Sequence, residues 1–337
     1  MDREFTMAEP AMDAVITWVN GNDCAYKEKL QLALAGYGNK ASIAAVSPTR
    51  FNQCGEINYC LLSILRYAPW LRKIFIVTDN QVPDILTKLA STARKKIIIV
   101  DHHDLFADYN EFLPTFNSLA IETLLWRIKG LAKNFVYFND DCILIRPVSP
   151  KDFFRKHKLV LRGKWKMQDA KKFNYQNILK KIANVFLVNK LAVSEGDEHW
   201  LTQINTAKLM GWKNFFFHLA HVPFPLRQNT LELFFTKYPA LLRANIRFAF
   251  RNLAQFWPVL LAENLEIKQK NVIFDSSLQA IMVHGSFHPY NKIQARLKKA
   301  EKNKKVAFFC VQSLDQAPKA THDLIINWLN NRIILDP

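Results

Sequence analysis

Two neighbouring carboxylates carry the clearest chemical signal in this sequence. Asp140 and Asp141 end the run NFVYFNDD, a hydrophobic β-type segment followed by Phe138-Asn139-Asp140-Asp141. In an open α/β sheet the carboxyl edge of a strand is where ligands bind. Adjacent carboxylates there can offer hard oxygen ligands to Mg2+ or Mn2+, and such an ion bridges a diphosphate and offsets its charge. The plain alternative is a polar turn, because Asn and Asp favour turns and helix caps. Asp101-His102-His103-Asp104 is a second acidic strand boundary. Its two histidines do not make a convincing transition-metal pair, because neighbouring side chains on a strand point to opposite faces. One inward histidine and one solvated histidine are expected. Trp18-Val19-Asn20-Gly21-Asn22-Asp23 leaves another strand through a Gly turn, with amide and carboxylate groups suited to the polar edges of a nucleoside.

Two residues of the C-terminal half could add to this chemistry. His221, in the His221-Val222-Pro223 segment of an aromatic stretch read as a loop over 215–225, could act as a general base near neutral pH or be structural. Arg251 stands in an apolar stretch read as helical over 231–260. Burying a guanidinium is costly unless an anion pairs with it, so either a phosphate or an internal carboxylate is expected beside it.

The elements that must position these residues read as βα units. Short β-branched and aromatic runs, DAVITWV, KIFIVTD, KKIIIVD and NFVYFND, alternate with longer segments. Glu56–Tyr67 and Ser118–Leu131 predict helices, the first stopping before Pro69 and the second starting at a Ser118 cap. The pattern implies an α/β fold with a mostly parallel sheet. Three regions are expected: a core over 12–150, a basic helical insertion over 151–214, and a C-terminal part over 215–337 that completes the site. KVAFFCV at 305–311 returns to strand character, and a last helix is expected near 323–333.

Composition narrows the class. The 337 residues are 50% hydrophobic, enough for a full core. Lys and Arg outnumber Asp and Glu by 46 to 29, a formal charge of +17 that favours an anionic partner: nucleic acid, a lipid surface or a phosphate-rich polymer. The five cysteines, an odd number, show no metal-type spacing and read as thiols of a reducing compartment. The N-terminus lacks the apolar core of a secretory signal, and no segment has an uninterrupted membrane-spanning length. A cytoplasmic protein is expected.

In order along the chain, these segments resemble the four motif blocks of the Stealth family, which includes bacterial capsule hexose-1-phosphate transferases and the animal lysosomal-enzyme GlcNAc-1-phosphotransferase. DAVITWVNGND resembles the first block. The second is matched by EINYCLLSILRYAPWLRKIFIVTDNQVPDIL, IIIVDHHDLF, LPTFNSLAIETLLWRIKGL and FVYFNDD, with Leu62 standing where relatives often carry Arg. HVP at 221–223 and FRN at 250–252 fall where the third block places a His and an Arg. FFCVQSLD at 308–315 resembles the fourth block, with its acid at Asp315 in a shifted register.

The resemblance implies a glycosyltransferase-A-like fold and transfer of a hexose 1-phosphate, an N-acetylhexosamine 1-phosphate above all, from a UDP-sugar to a polysaccharide or oligosaccharide hydroxyl, releasing UMP. By the same resemblance His221, Arg251, Asp140 and Asp315 are the expected catalytic residues, and Asn20, Asp23, Asn117 and His102 the donor-binding ones. Asp140 and Asp141 would hold Mg2+ or Mn2+. Two other readings compete: an ordinary metal-dependent glycosyltransferase, which would release UDP, and a basic nucleic-acid-binding protein, suggested by the charge and by Trp165, Phe173 and Tyr175 among the lysines of 155–181. Nucleic acid is not the expected partner. That basic stretch is instead expected to hold the growing polyanionic acceptor or the anionic inner face of the bacterial inner membrane.

Overall fold

Asp13, the second residue of the first strand, is a fully buried carboxylate, and its partners show how the sheet is assembled. Arg72 grips both of its oxygens (Nε–Oδ1 2.9 Å, Nη2–Oδ2 2.6 Å), and the backbone N–H groups of Lys73 and Ala132 donate to the same oxygens at 3.1 and 2.7 Å. Lys73 and Ala132 each lie just ahead of another strand of the sheet. One carboxylate therefore ties together the N-terminal ends of three strands.

A computed structural model describes residues 10–37, 45–168 and 195–334. The first half runs β1 (Met12–Thr17), α1 (Cys24–Tyr37), α2 (Glu56–Tyr67), β2 (Ile74–Thr78), α3 (Ser91–Arg94), β3 (Ile97–Asp101), α4 (His102–Leu105), α5 (Ser118–Leu124), β4 (Asn134–Asn139) and β5 (Cys142–Leu144). It continues through β6 (Phe154–Arg155), β7 (Lys158–Leu161), β8 (Gly163–Met167), α6 (Glu195–Leu209), β9 (Phe215–Leu219), β10 (Phe224–Arg227), α7 (Gln228–Lys237), α8 (Pro239–Ile246) and α9 (Pro258–Lys268). The chain then forms β11 (Val272–Phe274), β12 (Gln279–His284), α10 (Tyr290–Lys302), β13 (Val306–Gln312) and α11 (Lys319–Leu329).

The main sheet has the order β10-β4-β1-β2-β3. β4, β1, β2 and β3 are parallel, and β10 closes one edge antiparallel to β4. Buried side chains cover both faces of its middle strands, as the near-continuous apolar runs of β1, β2 and β4 require. The expected mostly parallel α/β architecture is what the chain forms. After β4 the chain turns in two residues, Asp140 and Asp141, and enters β5 of a second sheet, β12-β13-β5. That sheet has its own core, where Val283, Phe309 and Val311 meet Ile293 and Leu297 of α10 and Ile325 of α11. The paired carboxylates thus stand at the junction of two sheets.

Several local expectations are corrected. The segment expected as a helical insertion opens as strands: β6 and β7 pair with each other, and β8 pairs antiparallel with β9. Its lysines at 164 and 166 alternate with Trp165 and Met167, a period of two that marks a strand, whereas lysine density alone suggested a helix. Gly163 is required in the β8–β9 pair, because a Cβ there would come within 2.4 Å of the His218 carbonyl oxygen. Helix appears only later, in α6, and Lys171, Lys172, Phe173 and Tyr175 lie outside the described residues. The aromatic stretch 215–225, expected as loop, supplies β9 and the start of β10. The stretch 231–260, expected as helix, is broken between α8 and α9, and Arg251 lies in that break. The helix expected over 118–131 stops at Leu124, and its cap is Asn117, whose Oδ1 accepts the Leu119 N–H at 3.1 Å.

The Asp13 cluster yields a direct test. Arg72→Met leaves a buried carboxylate facing only two backbone donors, and losing one partner of such a pair costs about 3–5 kcal/mol. Retained donors and the partial exposure of Arg72 place the expected loss near the lower figure. A urea unfolding midpoint that moves by less than the equivalent of about 1 kcal/mol, at unchanged slope, would show that Asp13 does not depend on Arg72.

Candidate active site

Because β1, β2, β3 and β4 run parallel, the segments that leave their carboxyl ends share one edge: Asn20 and Asp23 after β1, Asp79 after β2, His102 after β3, and Asp140–Asp141 after β4. Both aspartates of the β4 turn keep partial solvent access. The Asp140 carboxyl is held well above the usual carboxylate range, first by burial and then by the charges of Asp141 and Glu56. Among the described residues no Lys or Arg forms an ion pair with Asp140 or Glu56.

His221 comes to this turn from the segment between β9 and β10. Its Nε2 stands 3.3 Å from each Asp141 oxygen. Burial acts to lower its pKa, but the Asp141 charge and hydrogen bond prevail and raise it above the ordinary histidine value. Three buried thiols pack beneath the turn. Cys310 Sγ lies 3.5 Å from Cys142 Sγ and 3.3 Å from the His221 carbonyl oxygen, and Cys60 Sγ reaches the Asn139 carbonyl at 3.7 Å.

Asp315 follows β13 in a short helical turn and accepts hydrogen bonds from Thr49 Oγ1 (2.7 Å) and Asn52 Nδ2 (3.1 Å). Glu56, in the first turn of α2, connects it to the β4 turn. Burial raises the Glu56 pKa against its backbone hydrogen bonds, and the charges of both Asp141 and Asp315 push it further up. The sequence analysis missed Glu56 because an acidic residue in the first turn of a helix has an ordinary explanation in the helix dipole. A nearly buried carboxylate in that position is what only the packing shows.

Arg251 is held by a different set of contacts. Phe250 stacks on Phe116 (5.3 Å between centroids), the Phe116 N–H donates to the Ala249 carbonyl at 2.7 Å, and Arg251 Nη2 donates to Ser118 Oγ at 2.7 Å. Behind it lies a buried polar chain. Glu122 accepts from Trp257 Nε1 (2.9 Å) and from the Tyr137 hydroxyl (3.3 Å), and Tyr137 in turn meets Thr17 Oγ1 at 2.9 Å. Burial raises the Glu122 pKa to about 7, against the lowering effect of Arg251 and these hydrogen bonds. The charges of Arg251 and His221 both bear on His199, whose ring packs 5.0 Å from Trp257.

Of the expected donor-binding residues, Asn20, Asp23 and His102 follow the carboxyl ends of β1 and β3, and Asn20, Asp23 and Asn117 make hydrogen bonds within the fold. Asn117 is fully buried, and beyond its cap its Nδ2 donates to the Phe248 carbonyl and to Gln255 Oε1, both at 3.0 Å, so its amide is consumed inside the fold. Asp23 caps α1 by accepting the Tyr26 N–H at 2.9 Å. Asn20 accepts the Asn22 N–H at 2.9 Å and exchanges backbone hydrogen bonds with the Gln81 amide. Gly21 is indispensable in this turn, since a Cβ would lie 2.3 Å from the Phe51 carbonyl oxygen. His102 is buried and His103 exposed. Burial lowers the His102 pKa to about 4, opposed by Asp79 and Asp101, and its Nε2 has no hydrogen-bond partner among the described residues.

The conserved region 2 model of Stealth proteins matches residues 50–161, which span α2 through β7 and include Glu56, Asn117, Asp140 and Asp141. The receptor polysaccharide phosphotransferase WefC of Streptococcus gordonii is 30% identical over 257 residues, covering 72% of this chain and 73% of that protein. The chain belongs to the Stealth family. The capsular polysaccharide phosphotransferase WcwK of Streptococcus pneumoniae matches at 30% identity over 72% of this chain and 74% of its own length. A higher identity, 39%, joins a 150-residue part to the capsular polysaccharide phosphotransferase cps1A of Actinobacillus pleuropneumoniae. That match spans 44% of this Stealth chain and only 40% of the longer relative. Among solved structures, the galactosyltransferase LgtC, in complex with donor and acceptor sugar analogs, aligns over 96% of this chain and 97% of its own at 10% identity and a TM-score of 0.41.

The buried Glu122 gives a pH test that does not touch the carboxylate edge. A carboxyl raised from 4.5 to about 7 stabilises the fold while protonated, and that contribution is lost as pH rises through the folded value. The wild-type protein should therefore lose stability relative to Glu122→Gln between about pH 4.5 and 7, by roughly 3 kcal/mol in total. Parallel unfolding curves for the two proteins across this window would mean that Glu122 titrates as an ordinary carboxyl.

Proposed function

We propose that the protein transfers a hexose 1-phosphate from a UDP-hexose, an N-acetylhexosamine donor being the favoured class, to a hydroxyl of a surface-polysaccharide acceptor, with release of UMP. The observation that carries this reading is His221 beside Asp141 at the tip of β4, in a chain whose relatives over most of its length are named as polysaccharide phosphotransferases.

In this reaction the acceptor oxygen bonds to the β-phosphorus while the bond from that phosphorus to the bridging oxygen of UMP breaks, and the bond at the sugar's anomeric carbon is untouched. Phosphoryl transfer demands mainly positioning and charge stabilisation. His221 takes the hydroxyl proton. A proton on Nε2 faces Asp141, which leaves Nδ1 as the nitrogen that accepts from substrate. Arg251, anchored on Ser118, contributes positive charge to the phosphate oxygens. Asp315, steadied by Thr49 and Asn52, faces the donor sugar.

The crowding of Asp140, Asp141 and Glu56, with no Lys or Arg paired to Asp140 or Glu56 among the described residues, fits a divalent cation. No cluster of three or more metal-ligating groups is preformed among those residues, which suits an ion held by one or two carboxylates together with substrate phosphates. Asp140 and Asp141 would hold Mg2+ or Mn2+, and the ion would offset diphosphate charge there. No helix among the described residues is long and apolar enough to cross a membrane. We place the enzyme in the cytoplasm, attached peripherally to an anionic inner membrane.

Product analysis decides the chemistry. Incubation with Mg2+, a panel of UDP-sugars and short acceptors should yield UMP by mass, and UDP as the sole nucleotide product would mean ordinary glycosyl transfer. Asp140→Asn and Asp141→Asn should each lower turnover by about 10²-fold or more. His221→Ala and Arg251→Ala should fold normally and lose about 10²- to 10⁴-fold. Full activity in folded His221→Ala would remove it from the chemistry.

A further inference from the structure

Away from the carboxylate edge, the antiparallel pair β8–β9 has two unlike faces because its side chains alternate. Lys164, Lys166 and His218 share one face, and Trp165, Met167, Phe215 and Phe217 share the other. Trp165 packs against Trp212 (5.0 Å) and Phe217 (5.6 Å), and Phe274 packs against Phe217 (5.0 Å). Trp165, Met167, Phe215 and Phe274 nevertheless remain 46–65% exposed.

Trp212 leads directly back to Met210 at the end of α6, which lines a cavity of about 840 Å³. Leu233, Phe234, Tyr238, Leu241 and Leu265 supply the rest of its apolar wall, and Leu233 and Tyr238 are themselves 67% and 41% exposed. The cavity lies at the end of β10 remote from the catalytic carboxylates, since Arg227 in its wall pairs with Asn134 at the start of β4. Arg227 and Glu266 neutralise one another within that wall. Four exposed lysines belong to this surface: Lys237 and Lys268 line the cavity, Lys270 stands between the lining residues Gln269 and Asn271, and Lys213 follows Trp212. Lys268 donates to the Met210 carbonyl, Lys237 lies over the Tyr238 ring, and Glu232 is the exposed acid beside Leu233.

We propose that this face seats the enzyme on an anionic lipid bilayer, with the exposed aromatics of β8 and β9 entering the interface and the cavity taking one acyl chain. Tryptophan and other amphipathic rings favour the headgroup level, and lysines gain free energy near anionic headgroups. Charge selects the bilayer over a second copy of the chain, because a two-fold interface would set these lysines against their own equivalents. Docking also bears on the chemistry. β9 runs from the exposed Phe215 to Leu219, two residues before His221, so five residues of strand, roughly 17 Å, connect the aromatic face to the catalytic edge. The proposal rests on membrane attachment and not on the identity of the transferred group.

The full chain should co-sediment with vesicles of phosphatidylcholine containing phosphatidylglycerol, and much less with phosphatidylcholine alone. The combined variant Met167→Glu, Phe215→Glu, Leu233→Glu should lose that binding about tenfold or more while keeping turnover on a soluble acceptor. Lipids brominated on their acyl chains should quench the wild-type tryptophan emission, and Trp165→Phe should remove most of that quenching. Absence of binding to anionic vesicles, or equal binding by the charged variant, overturns the proposal. So does a wild-type dimer that the variant dissociates, which would assign the face to a second copy. Failure of turnover in the wild-type protein with intact vesicle binding would count against the transfer reaction and leave this surface standing.

Discussion

Carboxylates held close together in a poorly solvated place repel one another, and the architecture of this protein is arranged around that cost. Asp140, Asp141, Glu56 and Asp315 come from a strand turn, a helix start and a second strand end, and Glu56 feels both Asp141 and Asp315. Left to themselves such groups would move apart or take up protons. They stay because each is attached to something rigid: the β4–β5 turn joins two sheets, Glu56 accepts the Cys54 N–H, and Asp315 is held by Thr49 and Asn52. The stored repulsion is also what suits the edge to cationic groups, whether a protonated His221 or a divalent ion.

The supports lie below and behind the edge. Below, Asp13 and Arg72 align the starts of β1, β2 and β4, so that the parallel register carries their far ends to one level. Behind, the chain Trp257–Glu122–Tyr137–Thr17 connects α9, α5, β4 and β1 through hydrogen bonds, of which the two to Glu122 are buried. Arg251 enters this network through Ser118 rather than through a carboxylate salt bridge. Its charge opposes the burial that raises the Glu122 pKa to about 7.

The antiparallel pair β8–β9 and the segment after β9 join the site to a surface of quite different character. One end of β9 leads to His221, and the other reaches an exposed aromatic face bordered by lysines. Exposed Trp, Phe and Met gathered on one face are costly in water. Their position beside a large apolar cavity gives that cost a use.

Much of the design is determined by the sequence itself. The apolar runs of β1, β2, β3 and β4 and the helix Glu56–Tyr67 are local hydrophobic patterns, and the Asp140–Asp141 pair at the end of its strand is read directly from neighbours along the chain. Local signals failed where a residue's environment comes from far away. Lysine density hid the period of two in β8, and aromatic residues were taken for loop where they pair across strands in β9. Asn117 looked like a ligand group because its partners, Phe248 and Gln255, are more than a hundred residues distant. Glu56 looked like a helix-dipole residue because nothing in its own segment reveals Asp141 and Asp315. Which polar groups are spent inside the fold and which face the cleft was decided by tertiary structure alone, since desolvation and hydrogen-bond partners depend on what packs against a side chain.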